Sequence, residues 1–147
     1  MISVKIPFRL PLGGGGTDLP SYYKQFGGRI ITASIDKYMF ININEPATAD
    51  KIRLYYAKTE IVDDVSEIKH NIIRESLQLH GINRPIEIGS MADIEAGTGM
   101  GSSSAFAVGL LDGLNTLERK FVSPIEVAEE ACKVCLLYTS PSPRDRS

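Results

Sequence analysis

The sequence predicts an α+β fold, and three observations carry that prediction. The first 62 residues are dominated by segments with period-2 alternation or by β-branched and aromatic residues, the pattern of strands. Helical spacing of apolar residues enters only later, and strand-like and helix-like stretches follow one another unevenly rather than in strict alternation. A glycine-rich loop near residue 100 then feeds directly into a long apolar helix.

Taken in order, Ile2, Val4, Ile6, Phe8 and Leu10 fall on one side of a first strand, with Ser3, Lys5 and Arg9 on the other. "LGGGGTDLPSYY" reads as a loop from its glycines and Pro20. "RIITASI" and "YMFININ" read as two strands joined near Asp36–Lys37, and "KIRLYYAKTEIV" as a single fourth strand. "SEIKHNIIRESLQLHG" places Ile68, Ile72, Ile73 and Leu77 at helical spacing, with Gly81 as its C-cap. "PIEIGSMADI" is a fifth strand, and "SSSAFAVGLLDGLNTLERK" is the helix that leaves the glycine loop. The last helix opens with Ser123 as N-cap, Pro124 at N1 and Glu126 at N3, a capping box, and its regular amphipathic pattern runs to Val134. No internal repeat is present.

Composition narrows the function classes. A chain of 147 residues with 43% hydrophobic content is the size of one domain with a real core. A net charge of −2 leaves no footprint for nucleic acid or an anionic membrane surface, and no apolar run approaches the roughly 18–20 residues that span a bilayer. "MISVKIPFRL" lacks the continuous apolar region of a signal peptide, and two late cysteines make no disulfide framework, so a cytoplasmic protein is expected. Cys132 and Cys135 match C-x-x-C, but on a helix and without a second pair the match reads as chance. His70 and His80, ten residues apart and off one helical face, read as surface or capping residues rather than metal ligands. The pattern names no oligomeric state.

The most chemical stretch is Gly97, Thr98, Gly99, Met100, Gly101, Ser102, Ser103, Ser104. Glycines let the backbone approach a ligand closely, and a helix start aims unpaired N–H groups and the positive dipole end at whatever sits there. Together they make an anion site suited to phosphates, where a serine hydroxyl can also ligate Mg²⁺. A Walker A loop would need a lysine that this loop lacks, and a dinucleotide fingerprint would need G-x-G-x-x-G early in the chain. A plain strand-to-helix turn with a serine cap needs one hydroxyl, not three. A second stretch, "PFRLPLGGGGTDLPSYY", sets Arg9 nine residues before Asp18. A cation, a glycine run and a carboxylate at that spacing suit a phosphorylated or hydroxylated small molecule, with Asp18 accepting bonds from two hydroxyls; a flexible turn with a capping aspartate is the plainer alternative.

"AGTGMGSSSAFAVGLL" resembles the nucleotide-binding motif of the GHMP kinases, the superfamily of galactokinase, homoserine kinase, mevalonate kinase and phosphomevalonate kinase. The family's motif opens with a proline; Glu95 stands near that place here. The first loop is similar to the family's first motif, with Arg9, Thr17 and Asp18 in the expected places and Gly15–Gly16 where galactokinases carry Glu-His. With "ASIDKY" and "YAKTEIVDDVSEIKHNIIRESLQLHG", the likeness is to the branch of bacterial D-glycero-D-manno-heptose 7-phosphate kinases and related sugar kinases. It implies an N-terminal ATP-binding domain, a mixed sheet with packed helices, over 1–134. It also implies ATP and Mg²⁺ as cofactors and transfer of phosphate to the anomeric hydroxyl of a sugar phosphate. By the same likeness, residues 97–104 hold the nucleotide, Ser103 the metal, and Arg9, Gly15, Gly16, Thr17 and Asp18 the substrate, with Arg9 also a candidate contact of the transition state. A galactokinase- or fucokinase-like member, or a non-catalytic nucleotide- or sugar-phosphate-binding module, is the alternative.

The ending differs in kind. "CLLYTSPSPRD" is encoded, residue for residue, by a transposon-end adapter used in DNA sequencing, read from its second base, so residues 135–147 are expected to be foreign to the protein. By the same likeness, the family's Mg²⁺-binding glutamate and catalytic aspartate are expected beyond Val134, and so is its C-terminal domain. The chain is therefore expected to be a fragment without catalytic residues of its own, and inactive as a kinase.

Overall fold

The structure, a computed structural model, describes residues 1–138. A five-stranded mixed sheet has the order β1-β2-β5-β3-β4. Its strands are β1 (Ile2–Gly13), β2 (Ile31–Asn44), β3 (Ile52–Tyr55), β4 (Thr59–Val62) and β5 (Glu87–Ala92). The helices are α1 (Pro20–Phe26), α2 (Asn71–Leu79), α3 (Ser102–Leu117) and α4 (Pro124–Tyr138), with a 3₁₀ turn at Val65–Glu67. The α+β class stands. All neighbours in the sheet run antiparallel except β3 and β5, which the intervening β4 and α2 allow to run parallel.

The period-2 logic of the strands is visible in their burial. Phe8 on β1 and Met39, Ile41 and Ile43 on β2 are buried, together with Ile52 and Leu54 on β3 and Ile86 and Ile88 at β5. They meet Ile73 and Leu77 of α2 and Phe106, Leu110 and Leu114 of α3 in one core. A second, smaller cluster lies behind α3, where Ala107 and Leu111 meet Val127, Ala131 and Val134 of α4. The sheet thus carries helices on one face, with α4 stacked outside α3. No helix among the described residues is long and apolar enough to cross a membrane.

Four element assignments are corrected. The two strands expected on either side of Asp36–Lys37 are one strand, β2. Their apparent junction is an irregularity in the β1–β2 ladder, which passes from Pro7↔Tyr38 to Arg9↔Ser34 and so sets Phe8 against three residues. "KIRLYYAKTEIV" is a hairpin, β3–β4, closed by Tyr56 N–H donating to Lys58 O at 2.9 Å. The expected loop after β1 contains α1, which begins at Pro20, a residue suited to the first helical turn. The helix expected over 66–81 is the 3₁₀ turn followed by α2, with His70 as its N-cap. At the other end Gly81 (φ +65°) closes it, its N–H on Gln78 O and that of Ile82 on Leu77 O.

The capping box is present as read: Ser123 N–H donates to Glu126 Oε2 at 2.6 Å, and Glu126 N–H to Ser123 Oγ at 3.3 Å. Helix α4 runs on to Tyr138, four residues past the expected end, because Cys-Leu-Leu-Tyr contains no helix breaker whatever its origin. Residues 139–147 of the expected tail lie outside the described residues. Of the two roles expected for His80, surface or cap, the structure shows the cap, since His80 is the C-cap of α2. Its side chain is 3% exposed, with Nδ1 2.6 Å from Glu118 Oε2, where Lys120 Nζ also binds at 2.9 Å. Burial pushes the Glu118 carboxyl up, but the bonds from His80 and Lys120 outweigh it and hold the group below its ordinary value.

Candidate functional site

The fold brings the two motifs together, although almost 80 residues separate them. Arg9, Pro11, Gly15, Asp18 and Ile30 from the β1–β2 side, and Gly97, Gly99, Gly101 and Ser102 to Ser104 from the glycine loop and α3, line one cavity of about 390 Å³. The clearest link is at Gly101. A Cβ placed there would lie 3.2 Å from Arg9 Nε and 3.3 Å from Arg9 Cζ, so the guanidinium rests on the loop's last glycine.

The glycine loop takes its shape from alternation. Gly97, Gly99 and Gly101 have φ of +89°, +76° and +72°, while Thr98 and Met100 between them keep negative φ. Successive residues of opposite hand turn backbone N–H groups toward one concavity, the geometry that binds anions. Its entry is pinned to the sheet, since Asp93 accepts from Tyr38 N–H at 2.8 Å and donates from its own N–H to Tyr38 O at 2.9 Å. Within the loop Thr98 Oγ1 donates to Glu95 O at 3.2 Å, and Met100 packs on the main core, so both shape the loop from outside the cavity. At the helix start Gly101 is the N-cap and supplies no side-chain bond. Ser104 Oγ returns to Gly101 O at 3.0 Å. The hydroxyls of Ser102 and Ser103 make no such bond back to the loop.

The first loop is a turn, Gly14 to Thr17, closed by Thr17 N–H on Gly14 O at 2.9 Å. Thr17 Oγ1 lies 2.8 Å from both Gly14 O and Arg29 O and accepts from Arg29 N–H at 3.0 Å. Its hydroxyl braces the turn against the start of β2, and Gly15 and Asp18 are the turn residues that reach the cavity. Gly16 lies at the turn's tip, with open space where a side chain would stand.

A second cavity, of about 550 Å³, adjoins the first, and Ser102 and Ser103 line both. Its walls are largely apolar: Met39, Ile72, Ile94 and Phe106, closed on one side by the rings of Tyr56 and His70. Tyr56 meets His70 edge-on at 4.8 Å, and His70 meets Phe106 at 5.0 Å. Glu60 holds this wall from behind, accepting from Tyr56 Oη at 2.6 Å, Lys69 N–H at 2.7 Å and His70 N–H at 3.1 Å. Burial, then the bond to Glu60, pushes the Tyr56 phenol up to about 12. Burial also raises the Glu60 carboxyl, but the three donors outweigh it and hold the group low. The sequence did not single out this cavity. Its walls come from β2, the β3–β4 turn, α2, β5 and α3, and no local spacing joins them.

On this α+β domain a glycine loop at a helix start thus stands beside an apolar cavity on one side and the loop that carries Arg9 and Asp18 on the other. The model of the GHMP kinases N terminal domain matches residues 64–140, and the chain belongs to that family. Members of the family are kinases that use ATP. Among solved structures the chain is similar to a D-glycero-D-manno-heptose 1-phosphate kinase from Bacteriodes thetaiotaomicron (TM-score 0.79, 22% identity, covering 91% of this chain and 47% of that one). It is also similar to the mevalonate kinase of Methanococcus jannaschii (TM-score 0.70, 22% identity, 90% and 45% covered). A third is the phosphomevalonate kinase of Streptococcus pneumoniae, solved with phosphomevalonate and AMPPNP (TM-score 0.69, 22% identity, 92% and 43% covered). The chain therefore spans about half the length of these structures. No curated protein matches it.

Proposed function

We propose that the chain is the nucleotide-binding half of an ATP-dependent sugar kinase whose acceptor is a sugar phosphate, D-glycero-D-manno-heptose 7-phosphate, phosphorylated at its anomeric hydroxyl. The observation that supports the reading is the contact of Arg9 with Gly101, which brings the Gly14–Asp18 loop and the glycine loop onto one cavity. In this reading the N–H groups of residues 97–102 and the serine hydroxyls hold the triphosphate, and the adjoining apolar cavity takes the base. Arg9 neutralises charge where the two ligands meet, and Asp18 accepts bonds from sugar hydroxyls.

The residues present fit a phosphate tail, since the cradle offers backbone donors, hydroxyls and one guanidinium. A bound Mg²⁺ would supply charge neutralisation between phosphates. Ser103, which faces both cavities, offers it a hard oxygen. The described residues contain no group of three or more His, Cys, Asp or Glu that could hold a metal. The open turn at Gly15–Gly16 leaves backbone N–H groups uncovered by side chains, which suits an acceptor that already carries a phosphate.

The 147-residue chain is expected to bind nucleotide without turning it over. Gly99→Val tests the cradle. The position is sterically open but has φ +76°, which a β-branched residue avoids. ATP·Mg²⁺ affinity should fall at least tenfold, about 1.4 kcal/mol. Unchanged affinity in a folded variant, by calorimetry, removes the assignment. In the full-length enzyme, equal turnover of an unphosphorylated sugar removes the acceptor.

A further inference from the structure

His70 is placed as no other side chain of the apolar cavity is. Its backbone N–H is tied to Glu60, its Nδ1 accepts from Ile73 N–H at 3.4 Å as the N-cap of α2, and its ring is held between Tyr56 and Phe106. A nitrogen that accepts a bond carries no proton, so in this arrangement the proton of the neutral ring sits on Nε2. Nε2 has no hydrogen-bond partner among the described residues, and His70 lines the cavity. Burial holds the imidazole below its ordinary pKa, with the Glu60 carboxylate opposing, which favours the neutral ring that the cap requires. Protonation of Nδ1 would remove the cap acceptor and set a cation at a helix start.

We propose that His70 determines base specificity at this site: the helix cap fixes its tautomer, and Nε2–H donates to a ring nitrogen of a purine lying in the apolar cavity. The inference rests on the nucleotide reading above. Its geometry is economical, because Phe106, one turn after Ser102 on α3, supports the His70 ring while the same helix start holds the phosphates. The Tyr56–His70 pair is also a shared wall. On its far side lies a further space lined by Lys58, Glu60, Glu67 and Lys69, and the ring is backed by the core through Phe106, while Glu60 fixes the His70 backbone.

The experiment titrates the intact 147-residue chain with three probes: Mg²⁺·tripolyphosphate, ATP, and the deaza analogues of ATP in which one ring nitrogen is replaced by carbon. The parent should bind ATP more tightly than tripolyphosphate, and one deaza analogue should lose about tenfold relative to ATP. His70→Asn keeps an N-capping acceptor but removes the ring and its second nitrogen. It should lose about tenfold in ATP affinity, hold tripolyphosphate within about twofold, and bind ATP and every deaza analogue alike. Equal weakening of tripolyphosphate and ATP would mean that His70 only supports the fold, and would overturn the proposal. So would ATP affinity unchanged in the variant, or deaza analogues that all match ATP in the parent. If tripolyphosphate binds and ATP binds no better, the cradle stands and the base-reading role falls. If neither binds, the nucleotide reading itself fails and takes this one with it.

Discussion

Replacing Gly101 by alanine is the sharpest single test of how the site is assembled. The residue sits at φ +72°, ψ 30°, and an L side chain in that left-handed region costs about 1–2 kcal/mol. The added methyl would also stand 3.2 Å from Arg9 Nε, 3.3 Å from Arg9 Cζ and 3.3 Å from Ser104 Oγ. Those contacts are tight by only a few tenths of an ångström, and the guanidinium is the free end of a flexible side chain. Backbone strain should therefore dominate stability, while displacement of Arg9 should dominate binding. Thermal melting should fall by roughly 3–8 °C for a chain of this size, and tripolyphosphate affinity by about tenfold. A double-mutant cycle with Arg9→Ala separates the two effects. Once Arg9 is gone the methyl meets no guanidinium, so Gly101→Ala should cost about two- to fivefold less affinity in that background, a coupling of about 0.5–1 kcal/mol. Strict additivity of the two substitutions would refute the idea that Arg9 and the loop grip one ligand. Unchanged melting and affinity would refute the loop geometry itself.

Two further perturbations probe the scaffold. Gly109→Ala should destabilise the domain by about 1–3 kcal/mol despite alanine's better helix propensity, because a Cβ there would stand 2.3 Å from Ile6 Cδ1 and 2.7 Å from Ile6 Cγ1; a urea midpoint at or above that of the parent would contradict it. Glu118→Gln removes the charged partner of the buried His80 and should cost about 1–3 kcal/mol near neutral pH. Since the folded-state pKa of Glu118 is depressed, its contribution is present above the unfolded carboxylate value of about 4.3 and is lost as pH falls through the folded value. Urea midpoints of parent and variant should therefore converge in acid, and a gap that widens there would reverse the assignment.

Local chemistry was legible in the sequence, and distance was not. The box of Ser123 and Glu126 and the closing glycine at Gly81 were read correctly because each is a bargain between residues a few positions apart. The alternation of β1 held through Phe8 because one face is covered by α3. Asp36–Lys37 looked like a turn because a ladder irregularity leaves polar residues mid-strand, and only the partner strand tells the two apart. The β3–β4 hairpin escaped notice because Ala57 and Lys58 carry no glycine, proline or asparagine signal. At the site, the glycine spacing did foretell three positive φ values. Thr17 was read as facing the ligand, yet its hydroxyl bonds to Gly14 and Arg29, a partner that no spacing rule could select.

Helix α3 also acts as a ruler. Ser102 at its first turn borders the glycine loop, and Phe106, four residues on, supports the wall of the neighbouring cavity, a rise of about 6 Å along one rigid axis. Gly109 and Gly113 let that axis lie hard against Ile6 and Ile43, so it cannot slide along the sheet without collision. The separation between the two ends of a bound molecule is then built into the backbone rather than into replaceable side chains. A lineage adapting this domain to a ligand of different length has one economical place to do so, the five residues from Gly97 to Gly101, where the chain can be lengthened or re-curved without disturbing the scale it is measured on.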